Sequence, residues 1–366
     1  MSAALDRVAL RDAVQREAQR LGFALVGVAR AEASARRAEL EQWIHDGKHG
    51  EMQWIADRVT EAADVRTLLR GARSVICVAD RYHTGAADRV EVGRGRIARY
   101  ARTKDYHDII RDRLRRLGRF VREHAPSSET RLTGDIHPIL EREQAARALL
   151  GAIGKHTLLS RPGLGSYFLL GEIITDADIA ASDEAPPSDA THADSTDPCG
   201  QCTRCLDACP TKAITPWSVD ATRCTAYLTI EHRSAIAPEF FGSTGDWWFG
   251  CDICQEVCPH TQATRASRRA GTNEQLAPRL DSIDLLEVLG WSEADRARLV
   301  VSSALKRATL PMMKRNALLA LASMVRHDPA LAPSVLARAA EIERDEQEDP
   351  MVRDAACQLR GCSAID

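Results

Sequence analysis

Two cysteine-rich runs decide the fold of this chain: Cys199-Gly-Gln-Cys202-Thr-Arg-Cys205-Leu-Asp-Ala-Cys209-Pro210 and Cys251-Asp-Ile-Cys254-Gln-Glu-Val-Cys258-Pro259. The first run has the C-x2-C-x2-C-x3-C-P spacing with which bacterial ferredoxins bind iron–sulfur clusters. In that spacing the first three thiolates bind one cluster and the fourth binds the other. The second run is one cysteine short, and Cys224, which lies between the runs, completes it.

The spacing therefore predicts two [4Fe-4S] clusters, which transfer single electrons. The first cysteine set is Cys199, Cys202, Cys205 and Cys258, and the second cysteine set is Cys209, Cys224, Cys251 and Cys254. A pair of structural zinc sites is the alternative, because zinc sites also use Cys-x2-Cys pairs. Zinc motifs rarely have three cysteines at this spacing or end twice in Cys-Pro. The other three cysteines, Cys77, Cys357 and Cys362, are expected to be small buried hydrophobic residues.

Composition limits the class of protein. At roughly 150 residues per domain, 366 residues make two or three domains. A content of 44% hydrophobic and 28% charged residues is typical of a soluble globular chain. The net charge of −3 excludes a uniformly basic surface, but it allows a local basic face. We expect a cytoplasmic protein without membrane association, because no apolar run approaches the ~18 residues of a membrane span and the N-terminus has no signal-peptide core.

Hydrophobic patterns divide the chain into three parts. The N-terminal part alternates a helix (8–21) with short apolar strands (23–29, 72–79 and 166–175), and a basic segment (94–122) contains a second amphipathic helix. Residues 176–198 hold seven acidic residues and no Lys or Arg, which predicts a solvated loop. From residue 282 onward no strand is predicted, and three helices (318–325, 331–342 and 351–359) suggest stacked hairpins.

Four further motifs occur before the cysteines: His49-Gly50-Glu51-Met52, Ile97-Ala98-Arg99-Tyr100-Ala101, Gly134-Asp135-Ile136-His137-Pro138-Ile139-Leu140-Glu141-Arg142 and Gly151-Ala152-Ile153-Gly154-Lys155-His156-Thr157-Leu158-Leu159. In this order, and together with the cysteines, they resemble the epoxyqueuosine reductases, cobalamin-dependent iron–sulfur enzymes of tRNA queuosine synthesis. The resemblance implies an α+β fold with an N-terminal α/β cobalamin-binding domain (1–178), an acidic linker (179–198), a ferredoxin-like two-cluster domain (199–265) and a HEAT-like helical tRNA-binding domain (266–366).

The resemblance also implies a reaction. The family reduces the epoxide of epoxyqueuosine, in the anticodon loop of tRNA, to the alkene of queuosine. Electrons come from an external donor of the flavodoxin or ferredoxin type and pass through the two clusters to cobalamin, and the chain is expected to act as a monomer. Asp105-Tyr106-His107 lacks the glycine of the Asp-x-His-x-x-Gly motif, so His107 is not expected to bind cobalt.

Asp135 matches the proton donor of the family and is expected to lie against the cobalamin. A carboxylic acid can donate a proton at neutral pH only if its pKa lies well above ~3.9, and burial is expected to raise it. The alternative is that Asp135 caps a helix beginning near Ile139.

Further cofactor contacts are implied by the resemblance at Arg58, Leu159, Leu170, Ala226 and Asp252. A solvated surface position is the alternative for Arg58, and ordinary core packing is the alternative for the two leucines. Lys155 is a family motif residue of unknown role.

The expected tRNA surface lies in the C-terminal part, where residues 296–325 hold six basic residues and no acidic one. Lys306, Arg307, Lys314 and Arg315 are the expected phosphate contacts. The resemblance adds His232 and Arg233, on a helix expected after Cys224. A solvated helical face is the alternative.

Two other functions stay open at this point. A reductive dehalogenase also combines cobalamin with two clusters, but such enzymes commonly carry a twin-arginine export signal and lack a basic helical tail. A non-catalytic electron-transfer protein or cobalamin carrier would explain the clusters and leave the basic helices without a purpose.

Overall fold

The computed structural model describes residues 6–83, 85–89, 91–184, 197–262 and 272–362. Most of the expected acidic linker (residues 185–196) lies outside the described residues. The helices are α1 (Arg7–Arg20), α2 (Arg37–His45), α3 (Gln53–Ala56), α4 (Val59–Ala63), α5 (Tyr106–His124), α6 (Glu141–Arg147), α7 (Arg204–Ala208), α8 (Thr225–Ile230), α9 (Ile253–Glu256), α10 (Leu285–Val288), α11 (Glu293–Val300), α12 (Leu310–His327), α13 (Ala332–Arg344) and α14 (Pro350–Cys362). The strands are β1 (Leu25–Arg30), β2 (Ser74–Arg81), β3 (Arg94–Ile97), β4 (Thr130–Thr133), β5 (Ala152–Ile153), β6 (Leu159–Ser160), β7 (Phe168–Thr175), β8 (Ile214–Thr215), β9 (Ser218–Val219), β10 (Trp247–Phe249) and β11 (Ser282–Asp284).

The N-terminal part is built on an antiparallel sheet with the strand order β1-β2-β7-β4. All eight residues of β2 are buried, because elements cover both faces of the sheet. Ile76 and Val78 point to the core that α1 and α5 complete, whereas Val75 and Cys77 point to a second core on the opposite face. A sheet covered on both faces explains why β2 is almost continuously apolar in sequence.

A small second sheet joins the three parts of the chain. Its strand order is β10-β3-β11, so that strands from the segments 1–178, 199–265 and 266–366 pair with one another. The core beneath it contains residues of all three segments, and the indole of Trp248 donates a hydrogen bond to the carbonyl oxygen of Met313 at 2.9 Å. The cysteine-rich segment is therefore packed firmly against both its neighbours.

The C-terminal part is centred on α12, which is buried along most of its length. Thr309 caps its N-terminus by accepting a hydrogen bond from the backbone N–H of Met312. Helix α14 packs against both α12 and α13.

Most predicted elements are present within one or two residues of their expected ends, and the three C-terminal helices are longer than predicted. The expectation of no strand after residue 282 is wrong, because Ser282–Asp284 pairs with β3.

Cys77 is buried as expected, but Cys357 is exposed, and the side chain of Cys362 lies outside the described residues. No helix in the described ranges is long and apolar enough to cross a bilayer.

Candidate functional site

The first cysteine set forms one cavity. Cys199, Cys202 and Cys205 line it together with Cys258, which comes from the second run more than fifty residues later. Helix α7 carries Cys205, and Cys258 directly precedes a short 3-10 helix that begins at Pro259. The fold thus places side by side the four thiols that the spacing assigned to one cluster.

Lys155 holds this cysteine loop in place. Its backbone N–H donates a hydrogen bond to the Sγ atom of Cys199 at 3.3 Å, and its Nζ donates to the carbonyl oxygens of Gly200 (2.6 Å) and Cys202 (3.1 Å). The side chain is almost fully buried. Lys155 therefore fastens the N-terminal part to the cluster loop, and this gives a structural role to a motif residue whose role was unknown from sequence.

In the second cysteine set Cys209 is buried, and Cys224, Cys251 and Cys254 are half-buried. Burial raises the pKa of Cys224, and the neighbouring thiol of Cys209 raises it further. Burial likewise raises the pKa of Cys254, and the nearby thiols of Cys224 and Cys209 raise it further. Burial also raises the pKa of Cys251, and the thiol of Cys254 raises it further. The four thiols of this set therefore lie close enough to influence one another's pKa.

Backbone N–H groups are directed at several of the thiols. Ala213 donates to the Sγ atom of Cys209 at 3.3 Å, and Cys224 accepts from the N–H groups of Ala226 and Tyr227. Such hydrogen bonds stabilise sulfur in its thiolate form, which is the form that binds iron. In the described part of the chain no three His, Cys, Asp or Glu side chains are arranged to hold a single metal ion.

Asp135 lies in the turn between β4 and α6. The structure contradicts the helix-cap alternative, because α6 begins only at Glu141 and its N-cap, Leu140, makes no side-chain cap. Instead the Asp135 carboxylate accepts a hydrogen bond from the hydroxyl of Tyr106, and its Oδ1 lies 3.1 Å from Nε2 of His107. The side chain is 37% exposed, so it is accessible to a substrate.

His107 lies between two carboxylates. Its Nδ1 is 2.5 Å from Oδ1 of Asp105, a buried residue at the N-cap of α5. Burial alone would lower the pKa of His107, but the hydrogen bonds to Asp105 and Asp135 outweigh burial and raise it to about 9. The imidazole is therefore charged at neutral pH.

The expectation that burial raises the pKa of Asp135 is wrong. Burial does act in that direction, but the hydrogen bond from His107 and its positive charge outweigh it, so that the pKa of Asp135 is lowered. At neutral pH the Asp135 carboxyl group is therefore ionised, and His107 carries a proton. Sequence reasoning missed this role of His107, although its position two residues after Asp105 was visible.

The other expected cofactor residues differ in accessibility. Arg58 is exposed, and Leu170 on β7 and Ala226 on α8 are half-buried. Leu159 is buried in the core around β2, as the core-packing alternative states. Asp252 is buried and engaged by Arg99, whose backbone N–H donates to Oδ2 at 2.8 Å.

A basic surface borders the Asp135 turn. Lys306, Arg307 and Arg233 have 59%, 49% and 42% of their side chains exposed. Lys306 forms an ion pair with Asp105, the carboxylate that holds His107, and Arg307 forms one with Glu231 at 2.6 Å. We call Arg233, Lys306 and Arg307 the basic rim.

Three expected tRNA contacts do not belong to this rim. Arg315 is fully buried and donates to the backbone carbonyl oxygens of Leu228, His232 and Ser234, so it braces the chain from inside. Lys314 is also buried and pairs with Glu348 at 2.6 Å. His232 follows α8 rather than lying on it, and it is largely covered. The sequence pattern of α12 did not show this, because the helix is buried on all sides around Lys314 and Arg315.

Two family models match the chain. A model for a 4Fe-4S double cluster binding domain matches residues 198–261. A model for epoxyqueuosine reductase QueG, DUF1730, matches residues 63–135, the segment that contains Asp105, His107 and Asp135.

Curated relatives and solved structures match this chain over most of its length. It is 34% identical to the epoxyqueuosine reductase of Escherichia coli K12, over 88% of this chain and 83% of the relative, and 37% identical to that of Gloeobacter violaceus, over 84% and 94%. An epoxyqueuosine reductase solved with an epoxyqueuosine-modified tRNA stem loop superposes with a TM-score of 0.79 at 25% identity, over 96% of this chain and 90% of the other. The Bacillus subtilis epoxyqueuosine reductase, solved with its catalytic aspartate loop swung out of the active site, superposes at 0.75, with 25% identity and 96% and 90% coverage.

The cysteine sets make a prediction about iron. Protein purified without oxygen should hold about eight irons per chain, and Cys258→Ser or Cys254→Ser should each lose about half of them, because each removes a ligand of a different cluster. Iron analysis and electron paramagnetic resonance measure this. Cys357→Ser, at an exposed cysteine outside both sets, is the control and should keep all the iron. Zinc in place of iron would contradict the assignment.

Proposed function

The chain belongs to the epoxyqueuosine reductase family, and from this we propose how its own residues reduce epoxyqueuosine in tRNA to queuosine. The observation that carries the proposal is the position of Asp135. It lies on an accessible turn, is backed by a charged histidine, and is bordered by the basic rim. A proton donor, an RNA-binding surface and a two-cluster domain are thereby combined in one chain.

We assign one [4Fe-4S] cluster to each cysteine set. Single-electron transfer is the chemistry that such clusters supply. The first set lines a cavity that also contains His260, whereas in the second set Cys224 precedes Thr225 and Ala226, and Cys251 precedes the buried Asp252. This arrangement favours entry of electrons at the first set, from an external flavodoxin or ferredoxin, and exit at the second.

The residues beside the second set fit a cobalamin. Thr225 and Ser160, the neighbours of Ala226 and Leu159, each have a buried hydroxyl without a hydrogen-bond partner among the described residues. The amide side chains of a corrin ring would satisfy such hydroxyls. Arg58, Leu170 and Ala226 would contact the ring, and Leu159 and Asp252 would support it from behind. When bound, cobalamin would supply a strongly reducing cobalt centre.

We propose that Asp135 and His107 act as one proton-donating pair. Asp135 faces the epoxide oxygen and passes on the proton that His107 holds at Nε2. Tyr106 fixes the second oxygen of the Asp135 carboxylate, and Asp105 keeps the imidazole in place and charged. The pair gives the enzyme an acid near neutral pH even though the pKa of Asp135 itself is low.

The basic rim is the proposed site for the phosphates of the anticodon stem loop. The ion pair between Lys306 and Asp105 connects this surface directly to the proton-donating pair, so bound RNA is brought to the reacting groups.

We propose that the chain acts as a cytoplasmic monomer, with a cobalamin-binding part (1–178), a cluster part (199–265) and a HEAT-like RNA-binding part (266–366).

Replacing Asp135 by Asn should stop turnover while both clusters stay bound. The amide keeps the shape of the side chain but cannot pass on a proton, and loss of general acid catalysis costs ~10²–10⁴-fold in rate. Mass spectrometry of the tRNA nucleosides, which detects the loss of one oxygen, measures the reaction. Near-normal turnover would remove Asp135 from the mechanism.

The charged state of His107 makes a pH prediction. A proton on His107 is present below its pKa and is lost as the pH rises through about 9, so turnover should fall across that range. His107→Gln should lower kcat by ~100-fold at pH 7 without changing KM for tRNA, and the remaining activity should lack this alkaline limb. A variant with the wild-type rate and pH profile would contradict the assignment.

Reversing the charge at Arg233 and Arg307 together should weaken tRNA binding. Each lost phosphate contact lowers the slope of log affinity against log salt by about one, so the double variant should show a slope smaller by about two. Titrations at several salt concentrations measure the slope. Arg20→Glu, at another exposed arginine that pairs with a carboxylate, is the control. An unchanged slope in the double variant would place the RNA elsewhere.

A further inference from the structure

The reaction requires more protons than Asp135 and His107 hold. When an epoxide becomes an alkene, both carbon–oxygen bonds break and the oxygen leaves as water. The balance is one epoxide, two electrons and two protons to one alkene and one water. The electrons come from the external donor, whereas the proton-donating pair supplies one proton, so a second source is needed. This inference rests on the proposed function.

Glu172 is a buried carboxyl group that has no ion-pair partner among the described residues. It lies in the middle of β7, opposite Thr133 of β4, and none of its surface is exposed. One oxygen accepts a long hydrogen bond of 3.4 Å from the Thr133 hydroxyl, and the other, Oε1, has no partner. An ionised carboxylate in this position would be costly, because nothing compensates for its lost hydration.

Glu141 lies near it at the start of α6, in the motif that follows Asp135. Its Oε2 is buried without a partner, and so is Oε1 of Gln144 one turn later on the same helix. Among the described residues, three buried carbonyl or carboxylate oxygens on the packed elements α6 and β7 therefore lack a hydrogen-bond donor. Buried acceptors are normally satisfied, and a protonated carboxyl group is itself a donor, so one proton here would turn an acceptor into the missing donor.

The pKa values of Glu141 and Glu172 also favour a protonated carboxyl group at this position. Burial, and to a smaller extent the charge of Asp135, raise the pKa of Glu141 to about 7 against the opposing charges of Arg142 and His107. Burial raises the pKa of Glu172 well above its usual range, and Glu141 and Asp135 add to this. On the neighbouring strand Glu172 faces the uncharged Cys77. Two adjacent carboxyl groups of this kind share a proton at neutral pH.

We propose that Glu141 and Glu172 form a proton store, and that its proton reloads the Asp135–His107 pair within each turnover. The first proton passes from the pair to the epoxide oxygen as one carbon–oxygen bond breaks. The second passes from the store to the pair and then to the same oxygen, which leaves as water as the alkene forms. The store is refilled from solvent after the product leaves. Glu141 and Glu172 act through Asp135 and are therefore positioning residues.

Infrared spectroscopy of the resting, cluster-loaded enzyme tests the store without depending on turnover. Wild-type protein at pH 7 should show the C=O stretching band of a protonated carboxyl group, shifted in heavy water. Glu172→Gln and Glu141→Gln should each remove or displace this band. Glu143→Gln, on the same helix but bonded to the Ser34 hydroxyl, is the matched control and should leave it unchanged. Absence of the band in wild type, or its persistence in both variants, would overturn the proposal.

Kinetics test the relay. Glu172→Gln should lower kcat by ~tenfold or more with an unchanged KM for tRNA and a changed pH profile, because it removes a proton source and no RNA contact. The amide supplies a donor to the unpartnered oxygens, so folding is expected to be retained, and Glu141→Gln provides an independent second variant. A wild-type kcat across the pH range in both variants would overturn the relay. Failure of the proposed function itself would show separately, as turnover by Asp135→Asn.

Discussion

The need to bring eight thiols, seven from two distant runs and Cys224 from between them, into two groups of four constrains the whole molecule. Cys258 must return to the loop of Cys199, and Cys209 must cross to the group of Cys224, so neither run can complete a cluster alone. The surrounding structure provides the rigidity that this requires. Lys155 fastens the first loop from the N-terminal part, and the sheet β10-β3-β11 holds the second run between the two ends of the chain. The cluster segment is thus an integral part of the fold.

The sequence was sufficient to predict what depends on local pattern. The apolar runs located β1, β2 and β7, the C-terminal periodicity located three helices, and the four cysteines of the first set line one cavity. What it could not show depends on long-range contact. The strand Ser282–Asp284 is three residues long and exists because β3 pairs with it. Arg315 is basic and adjacent to Lys314, yet its burial follows from three backbone carbonyl oxygens some eighty residues away, which no local pattern reveals.

At Asp135 the structure revises the electrostatic reason for which the sequence singled out the residue. Burial was expected to raise its pKa, but a charged histidine on α5 reverses the direction. His107 keeps its proton near neutral pH instead, because its hydrogen bonds to Asp105 and Asp135 favour the charged imidazole. With the proton on the histidine, the Asp135 carboxylate is ionised while its side chain stays 37% exposed.

One carboxylate connects the basic rim to the proton-donating pair. Helix α5 carries His107, α6 carries Glu141 and β7 carries Glu172, and the basic rim meets this group through the ion pair of Lys306 with Asp105. Under the proposed function, an RNA phosphate that pairs with Lys306 would take a positive charge away from Asp105, and Asp105 would then stabilise the charged form of His107 more strongly. RNA binding and the protonation of His107 would therefore be coupled through Asp105, at the point where α5 begins.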